Sequence, residues 1–545
     1  MNSLVLLFGG IFVFLVAYIV YGGFLAKKWG LSDAPTPAHS KRDDIDYVPA
    51  DVKVILGHHF SSIAGAGPIT GPILASVFGW FPVYLWILVG SVFIGGVHDF
   101  GSLVASLRTE GKGIGEIIKE NISPRAKSIF NWYAWLTITL VVAAFTDICA
   151  ATFAFDPAKP ELLTGAQAGT ASVLFIFLAI AFGLMVYRKN APLAVASVAG
   201  VALLAFCIWF GYAFPILKFN KLTWQIILMV YITAASIMPV WLLLQPRDYL
   251  CSFLLYAMMI GAFLGIVIRH PVIEQPAFTG FVVKNQTLFP FLFVTVACGA
   301  ISGFHSLISS GTTSKQINRE KPDAQIIGYG SMLIEGLLAI IAIIAVGYVA
   351  KAQGSPAQIF ANGVAWFMSG FGVPESVGKV LIIRVASAFA LTSLDTATRI
   401  GRYLMQEIAS GSKGSNNEKK RANPFSNIYL ATAATIAVSV AFLVYGYQKI
   451  WPIFGSANQL LAALALLAVT AWVVKKGKKS WETIVPLVFM FSVTLTALFF
   501  IIRNNLVAEK PNYLLAFMGA VLTFLAILQI VEGVRVLILK KQNKN

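Results

Sequence analysis

Charged residues are scarce in this 545-residue chain. Asp, Glu, Lys and Arg make up 12% of it, against 58% hydrophobic residues, and the mean hydropathy is +0.78. So apolar a composition excludes a soluble globular protein and predicts a chain that crosses a bilayer many times. The formal net charge of +17 does not indicate nucleic-acid binding, because the basic residues lie in short loops between apolar runs, where they set membrane topology.

Cysteines and familiar catalytic motifs are also few or missing. Cys149, Cys207, Cys251 and Cys298 lie in apolar runs without C-x-x-C spacing, which argues against disulfides and zinc ribbons. No P-loop, G-x-S-x-G or H-E-x-x-H motif occurs, so we expect neither an enzyme nor a resident cofactor. The stretch 4–26 has no basic region before it and no small-residue cleavage site after it. It is therefore predicted to be a retained span and not a signal peptide.

The apolar runs predict an all-α polytopic membrane protein with about fifteen transmembrane helices of about 20 residues each. Basic residues favour alternate loops by about three to one, which predicts an outer N-terminus and a cytoplasmic C-terminus. The predicted spans are 3–25, 52–78, 82–107, 129–152, 168–187, 190–214, 223–245, 250–269, 286–311, 325–350, 376–400, 426–447, 452–474, 482–502 and 511–538.

We expect no separate soluble domain. The segment 354–372 is predicted to be an outer interfacial or re-entrant segment anchored by Trp366. The predicted organisation is a first span with a cytoplasmic loop (1–50), a ten-helix transport core (51–409), a mobile cytoplasmic loop (410–425) and four accessory spans (426–545).

The second span cannot be an unbroken helix. Three glycines and two prolines fall within residues 65–72. Pro lacks an N–H group and Gly is a poor helix former, so the backbone ladder is weakened there. In lipid, the freed backbone groups need protein, water, an ion or a substrate as partners. This pattern is typical of a transport site.

Two other spans carry unusual residues. Pro239, shortly after Ser236, is a second candidate helix break. In 286–311, four polar residues fall at i, i+3, i+4 and i+7, so that a helix there presents one polar stripe of Ser302, His305, Ser306 and Ser309. Such a stripe lines a cavity, or its serines bond carbonyls of their own helix.

Histidines are concentrated at one predicted depth. Four of the six are predicted to lie roughly 9 to 14 Å from the cytoplasmic end of their spans: His58, His59, His98 and His305. Asp99 adjoins His98, and Glu335 lies near mid-membrane. Buried ionisable groups are costly, which leaves three interpretations: a proton relay, a bound transition metal or haem, or hydrogen-bonded packing. Asp395 and Arg399, at i and i+4, are predicted to form an ion pair.

Several stretches together resemble the carbon starvation protein A (CstA) family. The resemblance implies a secondary transporter of the amino acid, polyamine and organocation superfamily, with peptide and pyruvate uptake both associated with the family. It also implies a leucine-transporter-like inverted five-plus-five repeat with broken first and sixth core helices. The matching stretches are GHHFSSIAGAGPITGPILA, GGVHDFGS, LLLQPRDYL, CGAISGFHSLISSGTTSKQ, TSLDTATR and WPIFGSANQLLAALAL.

By this resemblance, 52–78 is core helix one. The span 223–245 is expected to be core helix six, with 286–311 as core helix eight; in an alternative register 286–311 is helix six. Alternating access is then expected to carry a small carboxylate-bearing nutrient, a short peptide or pyruvate, across a bacterial plasma membrane during carbon starvation. Rival hypotheses are a metal- or haem-binding redox protein and a nutrient sensor.

The implied site has two sets of residues. The substrate is expected to contact the exposed backbone of the first break and a wall from the span 223–245, that is, Ala64, Gly65, Ala66, Gly67, Pro68, Ser236 and Pro239. Coupling to H⁺ or Na⁺ is expected through His58, His59, His98, Asp99, Ser302, His305, Ser306, Ser309 and Glu335. The expected partners are the small-molecule substrate and the lipid bilayer, with no nucleic acid; the sequence does not predict the oligomeric state.

Overall fold

The computed structural model describes residues 1–158, 163–284, 286–410, 423–445, 447–509 and 511–542, and these are mostly helical. Most of the predicted mobile loop, 411–422, lies outside the described residues. In chain order the helices are α1 (Ser3–Trp29), α2 (Pro37–Ser40), α3 (Val52–Ile63), α4 (Gly67–Phe78), α5 (Trp80–Leu107), α6 (Ile114–Asn121), α7 (Pro124–Phe153), α8 (Thr164–Arg188), α9 (Leu193–Ala213), α10 (Lys221–Ile237), α11 (Leu244–Arg269), α12 (Leu288–Thr295), α13 (Gly303–Gly311), α14 (Gln325–Gly347), α15 (Pro356–Met368), α16 (Glu375–Ser410), α17 (Ile428–Tyr445), α18 (Tyr447–Lys475), α19 (Trp481–Val507) and α20 (Tyr513–Gln542).

Each predicted span coincides with a helix or a helix pair. In the described ranges, eleven helices are long and apolar enough to cross a bilayer, and the bent pair α3–α4 makes twelve. Three predicted spans coincide with shorter elements, which are α10, α17 and the pair α12–α13. The chain is therefore a multi-pass membrane protein, while the count of fifteen spans stays a prediction.

Polar residues in the loops set where several helices begin. The Asp51 carboxylate accepts a hydrogen bond from the amide of Lys53 at 2.8 Å, at the start of α3. Ser123 caps α7 by accepting from the Ala126 amide at 3.1 Å, and Asn220 caps α10 in the same way. Such caps satisfy N–H groups that have no partner inside the helix. They fix the entry of helices that reach the site.

The helices differ in how far they are buried. In α14 and in 453–475 of α18, about nine residues in ten are buried, whereas in the apolar parts of α1, α9 and α20 a third or fewer are. A helix that is apolar and buried all round lies in the core of a membrane protein, and one that is apolar and exposed faces lipid. The helix α18, which sequence analysis assigned to the accessory spans, thus lies at the centre of the protein.

Candidate functional site

The second span is interrupted at residues 64–66. Helix α3 ends at Ile63, α4 begins at Gly67, and the two axes differ by 40°. Carbonyl groups freed at the end of α3 are satisfied from α16: the Thr392 hydroxyl donates to the Ser61 carbonyl at 2.8 Å, and Ser393 donates to the Ser62 carbonyl at 3.0 Å. The interruption is therefore supported by specific partners.

A second interruption spans residues 296–302, between α12 and α13. Gly299 adopts φ +90°, a conformation that side-chain-bearing residues rarely take. Its amide donates to Glu335 Oε1 at 3.1 Å. The Phe304 amide donates to Asn458 Oδ1 at 2.9 Å, and Asn458 Nδ2 donates to Ser302 Oγ at 3.0 Å. Side chains of α14 and α18 thus hold the unwound backbone.

The break predicted at Pro239 has a different form. Helix α10 ends at Ile237, and the backbone turns through 238–243 before α11 begins at Leu244. Pro239 therefore lies in a connection between two helices, and the span predicted at 223–245 ends early. The stretch 286–311 is not one helix either, because its carbonyl and amide groups near Gly299 are bonded to distant side chains.

The two interruptions touch each other. A Cβ atom added to Gly67 would lie 2.2 Å from the Cβ of Cys298, and one added to Gly71 would lie 2.7 Å from the Thr295 carbonyl oxygen. A Cβ on Gly299 would lie 3.2 Å from the Cα of Pro68. Glycine is required here because the backbones approach more closely than side chains allow.

A narrow cavity with room for about one water molecule lies between the interruptions. Its polar groups come from Ser302, His305, Ser393 and Asn458, and aromatic rings including Phe454 close its sides. A larger space of about 370 Å³, which we call the vestibule, shares part of this lining and extends to the hairpin of β1 (Val282–Val283) and β2 (Gln286–Thr287), on the predicted outer side. The inner cavity is therefore the floor of the vestibule.

Part of the predicted site lines this inner cavity. Gly65, Gly67, Ser302 and His305 do so. Ala64, Ala66 and Pro68 lie within or beside the first interruption but outside the lining. Ser236 and Pro239, predicted as the opposite wall, line neither cavity.

Two serines of the predicted stripe lie outside the inner-cavity lining as well. The Ser306 hydroxyl donates to the Gly303 carbonyl of its own helix at 2.7 Å. Ser309 is buried.

Sequence analysis missed the wall supplied by α18. Asn458 bonds both the Ser302 hydroxyl and the Phe304 amide, and Phe454 lines both cavities. A signal was present, because Ser456, Asn458 and Gln459 interrupt an otherwise apolar run in one of the matching stretches. Polar residues in a membrane span usually face a cavity or another helix.

Four of the predicted coupling residues form one buried cluster. His98 Nδ1 lies 2.7 Å from Asp99 Oδ1, and His305 Nδ1 lies 3.3 Å from Asp99 Oδ2 and 3.4 Å from Glu335 Oε2. Helix α5 contains a π-helical stretch, Ser91–Gly95, just before His98, a deviation that is frequent at functional sites. Because His305 also lines the inner cavity, the cluster reaches the cavity wall.

The other two histidines of the predicted level have separate partners. His58 Nδ1 lies 2.8 Å from Asp248 Oδ2, and His59 Nδ1 lies 2.8 Å from the Thr313 hydroxyl. In the part of the chain that the structure describes, no group of His, Cys, Asp and Glu is arranged to hold a metal ion.

The predicted ion pair between Asp395 and Arg399 is wrong. The Asp395 carboxylate accepts hydrogen bonds from Arg247 of α11 and Tyr231 of α10. Arg399 Nη1 instead lies 3.0 Å from Asp46, in the loop before α3. Asp395 and Arg399 each bind a partner on another element and not each other, because charged groups on separate elements can align well for a hydrogen bond.

Asp46 fastens this loop to the predicted cytoplasmic end of α16. Its carboxylate accepts hydrogen bonds from Arg399, Arg402 and Tyr403. Burial alone would raise the pKa of Asp46, but the cations of Arg399, Arg402 and Lys315 and the Tyr403 hydroxyl outweigh burial and hold it below 3.8. A lowered native pKa means that the carboxylate stabilises the fold fully at neutral pH and loses this effect only as the pH falls through the native value.

Asp46→Asn is expected to loosen the loop at residues 43–50. It removes a charge that faces three cations, and we expect the loop to lose about 2 kcal/mol of local stability. Amide exchange in that segment should then be about 30-fold faster. Hydrogen–deuterium exchange at neutral pH measures it. The matched control is Asp44→Asn, since Asp44 pairs with Arg42 at the exposed surface; equal exchange in both variants would contradict the assignment.

The comparison with protein families decides what kind of protein carries this site. The family model described as carbon starvation protein CstA matches residues 2–353 and 348–497. The chain belongs to the CstA family. This CstA family member is 33% identical to the peptide transporter CstA of Escherichia coli (strain K12), over 91% of this chain and 80% of that protein. It is 31% identical to the pyruvate/proton symporter BtsT of the same organism, over 91% and 81%.

The CstA family relatives are transporters, so this chain is a membrane transporter and not an enzyme. Among solved structures, a manganese transporter of Eremococcus coleocola covers 91% of this chain and 99% of its own, at 10% identity and a TM-score of 0.49. At that score the likeness decides nothing about the topology of this CstA family member.

Proposed function

We propose that the protein is a secondary active transporter that takes up a small monocarboxylate such as pyruvate by alternating access, driven by a proton gradient. The observation that carries the proposal is the contact between the two helix interruptions around one cavity. Interrupted helices at membrane depth are tolerated where their backbone meets protein or a cavity, and in transporters such breaks hold the substrate.

Two helix N-termini meet at the inner cavity and favour an anion. Helix α4 begins at Gly67 and α13 begins at Gly303, after the two interruptions. The N–H groups of a first helical turn have no partner inside the helix and carry a partial positive charge. At α13 the Phe304 amide is bonded to Asn458 and the His305 amide to the Ser302 carbonyl. A carboxylate is therefore expected at the start of α4, where α13 adds the partial positive charge of its N-terminus, without an arginine or lysine in the inner lining.

The size of the inner cavity favours a short substrate. In this conformation it has room for about one water molecule, so its walls must move apart to admit any substrate. A three-carbon carboxylate requires a smaller opening than a dipeptide, which would also extend into the vestibule. The names of the relatives include both a peptide transporter and a pyruvate/proton symporter, and the cavity supports the second kind of substrate.

We also propose that the core is an inverted repeat whose halves begin at the two interruptions. Each half has an interrupted span, a long helix, a short helix, another long helix and two further spans. The first half is α3–α4, α5, α6, α7, α10 and α11, with α8 and α9 as an inserted hairpin. The second half is α12–α13, α14, α15, α16, α17 and α18.

Reciprocal packing supports this register. Helix α5 packs against α13, and its counterpart α14 packs against α4. Helix α10 packs against α16, and its counterpart α17 packs against α7, while α7 and α16 pack against each other. A two-fold relation between halves requires such paired contacts. The register makes 286–311 core helix six, which is the alternative given by the sequence, and α18 core helix ten.

The decisive measurement is uptake by the purified protein in liposomes. Labelled pyruvate and labelled alanyl-alanine are supplied under an inward H⁺ gradient, an inward Na⁺ gradient or neither. We expect pyruvate to accumulate only with the H⁺ gradient and a protonophore to abolish the accumulation. Accumulation of the dipeptide alone would overturn the substrate, and accumulation that depends on Na⁺ would overturn the coupling ion.

A further inference from the structure

One lysine stands at the mouth of the vestibule. Lys284 occupies the turn of the β1–β2 hairpin, where Val282 pairs with Thr287 and Val283 with Gln286. Its side chain is exposed and lines the vestibule. The other described residues in that lining are apolar or uncharged. No carboxylate among the described residues forms an ion pair with Lys284, so its charge acts on whatever enters.

The hairpin that carries Lys284 is tied to the site. The Thr279 hydroxyl donates to the Val77 carbonyl at 2.6 Å, and the Thr279 amide donates to the Phe78 carbonyl at 3.1 Å, at the end of α4. The Leu288 amide, at the start of α12, donates to the Phe281 carbonyl at 2.7 Å. The hairpin is thus attached to the outer ends of both interrupted spans, and Lys284 is held at the entrance that they form.

A single cation at the mouth of an apolar cleft acts on the charge of an entering solute. Low-dielectric walls focus the field of a charge into the cleft and raise the local concentration of opposite ions. A monoanion is attracted, a zwitterion with no net charge is affected little, and a cation is repelled. The two helix N-termini at the floor of the vestibule have the same polarity. Lys284 at the mouth and the helix N-termini at the floor therefore favour the same sign of solute charge.

We propose that Lys284 is a specificity-determining residue that selects substrates of net negative charge at the outer mouth. The inference rests on the proposed function for its substrate, a small monocarboxylate, and adds a residue that discriminates against zwitterionic and cationic peptides before they reach the inner cavity. Lys284 acts on the concentration of substrate at the mouth, so it changes KM and leaves the maximal rate unaltered.

Charge variants at this position test the proposal by transport. In proteoliposomes at low ionic strength, we expect the KM for pyruvate to be unchanged in Lys284→Arg, to rise about twofold in Lys284→Gln and about fourfold in Lys284→Glu, with an unchanged maximal rate. The differences should shrink at high salt, because the Debye length falls from about 30 Å at 0.01 M to about 10 Å at 0.1 M. Lys351→Glu, on an exposed loop outside both cavity linings, is the control for net charge.

A second measurement does not depend on the transported substrate. The thiol of Cys298 lines both cavities, while the other three cysteines are buried. The Cys298 thiol is modified with an anionic and with a cationic methanethiosulfonate, and the ratio of the anionic to the cationic rate is compared. We expect Lys284→Glu to lower this ratio about tenfold, and Cys298→Ala gives the background rate. An unchanged ratio in Lys284→Glu, or the same change in Lys351→Glu, would overturn the inference. Wild-type protein that fails to accumulate pyruvate would overturn the proposed function, and the thiol ratio would still decide the role of Lys284.

Discussion

Gly67→Ala is expected to abolish uptake in a protein that still reaches the membrane. The new Cβ would lie 2.2 Å from the Cβ and 2.5 Å from the Sγ of Cys298, so the two interruptions must move apart. Both clashing Cβ atoms are fixed to the backbone, and no rotamer change can relieve the contact. Displacing a substrate site by about 1 Å costs on the order of 100-fold in rate. Initial rates of pyruvate uptake in liposomes, at matched protein content, measure the loss.

Two further variants separate this contact from a general cost of replacing glycine. Gly23→Ala, on α1, places its Cβ where no atom lies within 4 Å, so we expect normal uptake. Combining Gly67→Ala with Cys298→Gly removes the clashing partner, and we expect part of the uptake to return. Normal uptake in Gly67→Ala alone, or a loss of uptake in Gly23→Ala, would count against the contact between the interruptions as the substrate site.

The first interruption was predictable because its cause is local. Three glycines and two prolines within residues 65–72 weaken a helix whatever surrounds it. The positions of the spans were predictable for a similar reason, since the bilayer sets the length of an apolar run. Pro239, which is equally local as a signal, ends a helix instead of interrupting one. A proline shows where a helix is weak, and packing decides whether the chain continues across the membrane.

The second interruption could not be predicted from the local residue pattern, because its partners are distant along the chain; only the alternative register, with 286–311 as the broken core helix six, implied it. The backbone at Gly299 leaves the helix to bond Glu335 and is followed by an amide bonded to Asn458. A helical periodicity in the sequence indicates contacts between residues three and four positions apart, so it cannot predict either of these partners. The same limit explains the pairing of Asp395 with Arg247 and of Arg399 with Asp46. A shared depth of the histidines stays a prediction, and their division among separate partners could not be predicted.

Glu335 joins the ionisable cluster to the backbone of the second interruption. One carboxylate oxygen accepts the Gly299 amide at 3.1 Å, and the other lies 3.4 Å from His305 Nδ1. His305 also faces Asp99 and the inner cavity. A proton gained or lost in this cluster changes the charge beside the unwound backbone that lines the substrate cavity. Glu335 is therefore the residue through which we expect proton binding and the conformation of the interruption to be coupled.

Glu335→Gln is expected to abolish proton-driven accumulation and to spare exchange. The amide oxygen of glutamine still accepts a hydrogen bond from Gly299, so the interruption keeps its support, but the side chain no longer titrates. A gradient of one pH unit supplies about 1.4 kcal/mol, or about tenfold accumulation for one proton per substrate; we expect this ratio to fall to about one in the variant, while pyruvate counterflow continues. The control is Asp147→Asn, because the Asp147 carboxylate lies outside the cluster, where Lys221 and Gln225 bind it. This variant should leave accumulation intact. Full accumulation by Glu335→Gln would contradict the assignment. If the variant lost both accumulation and counterflow, Glu335 would only support the structure of the interruption.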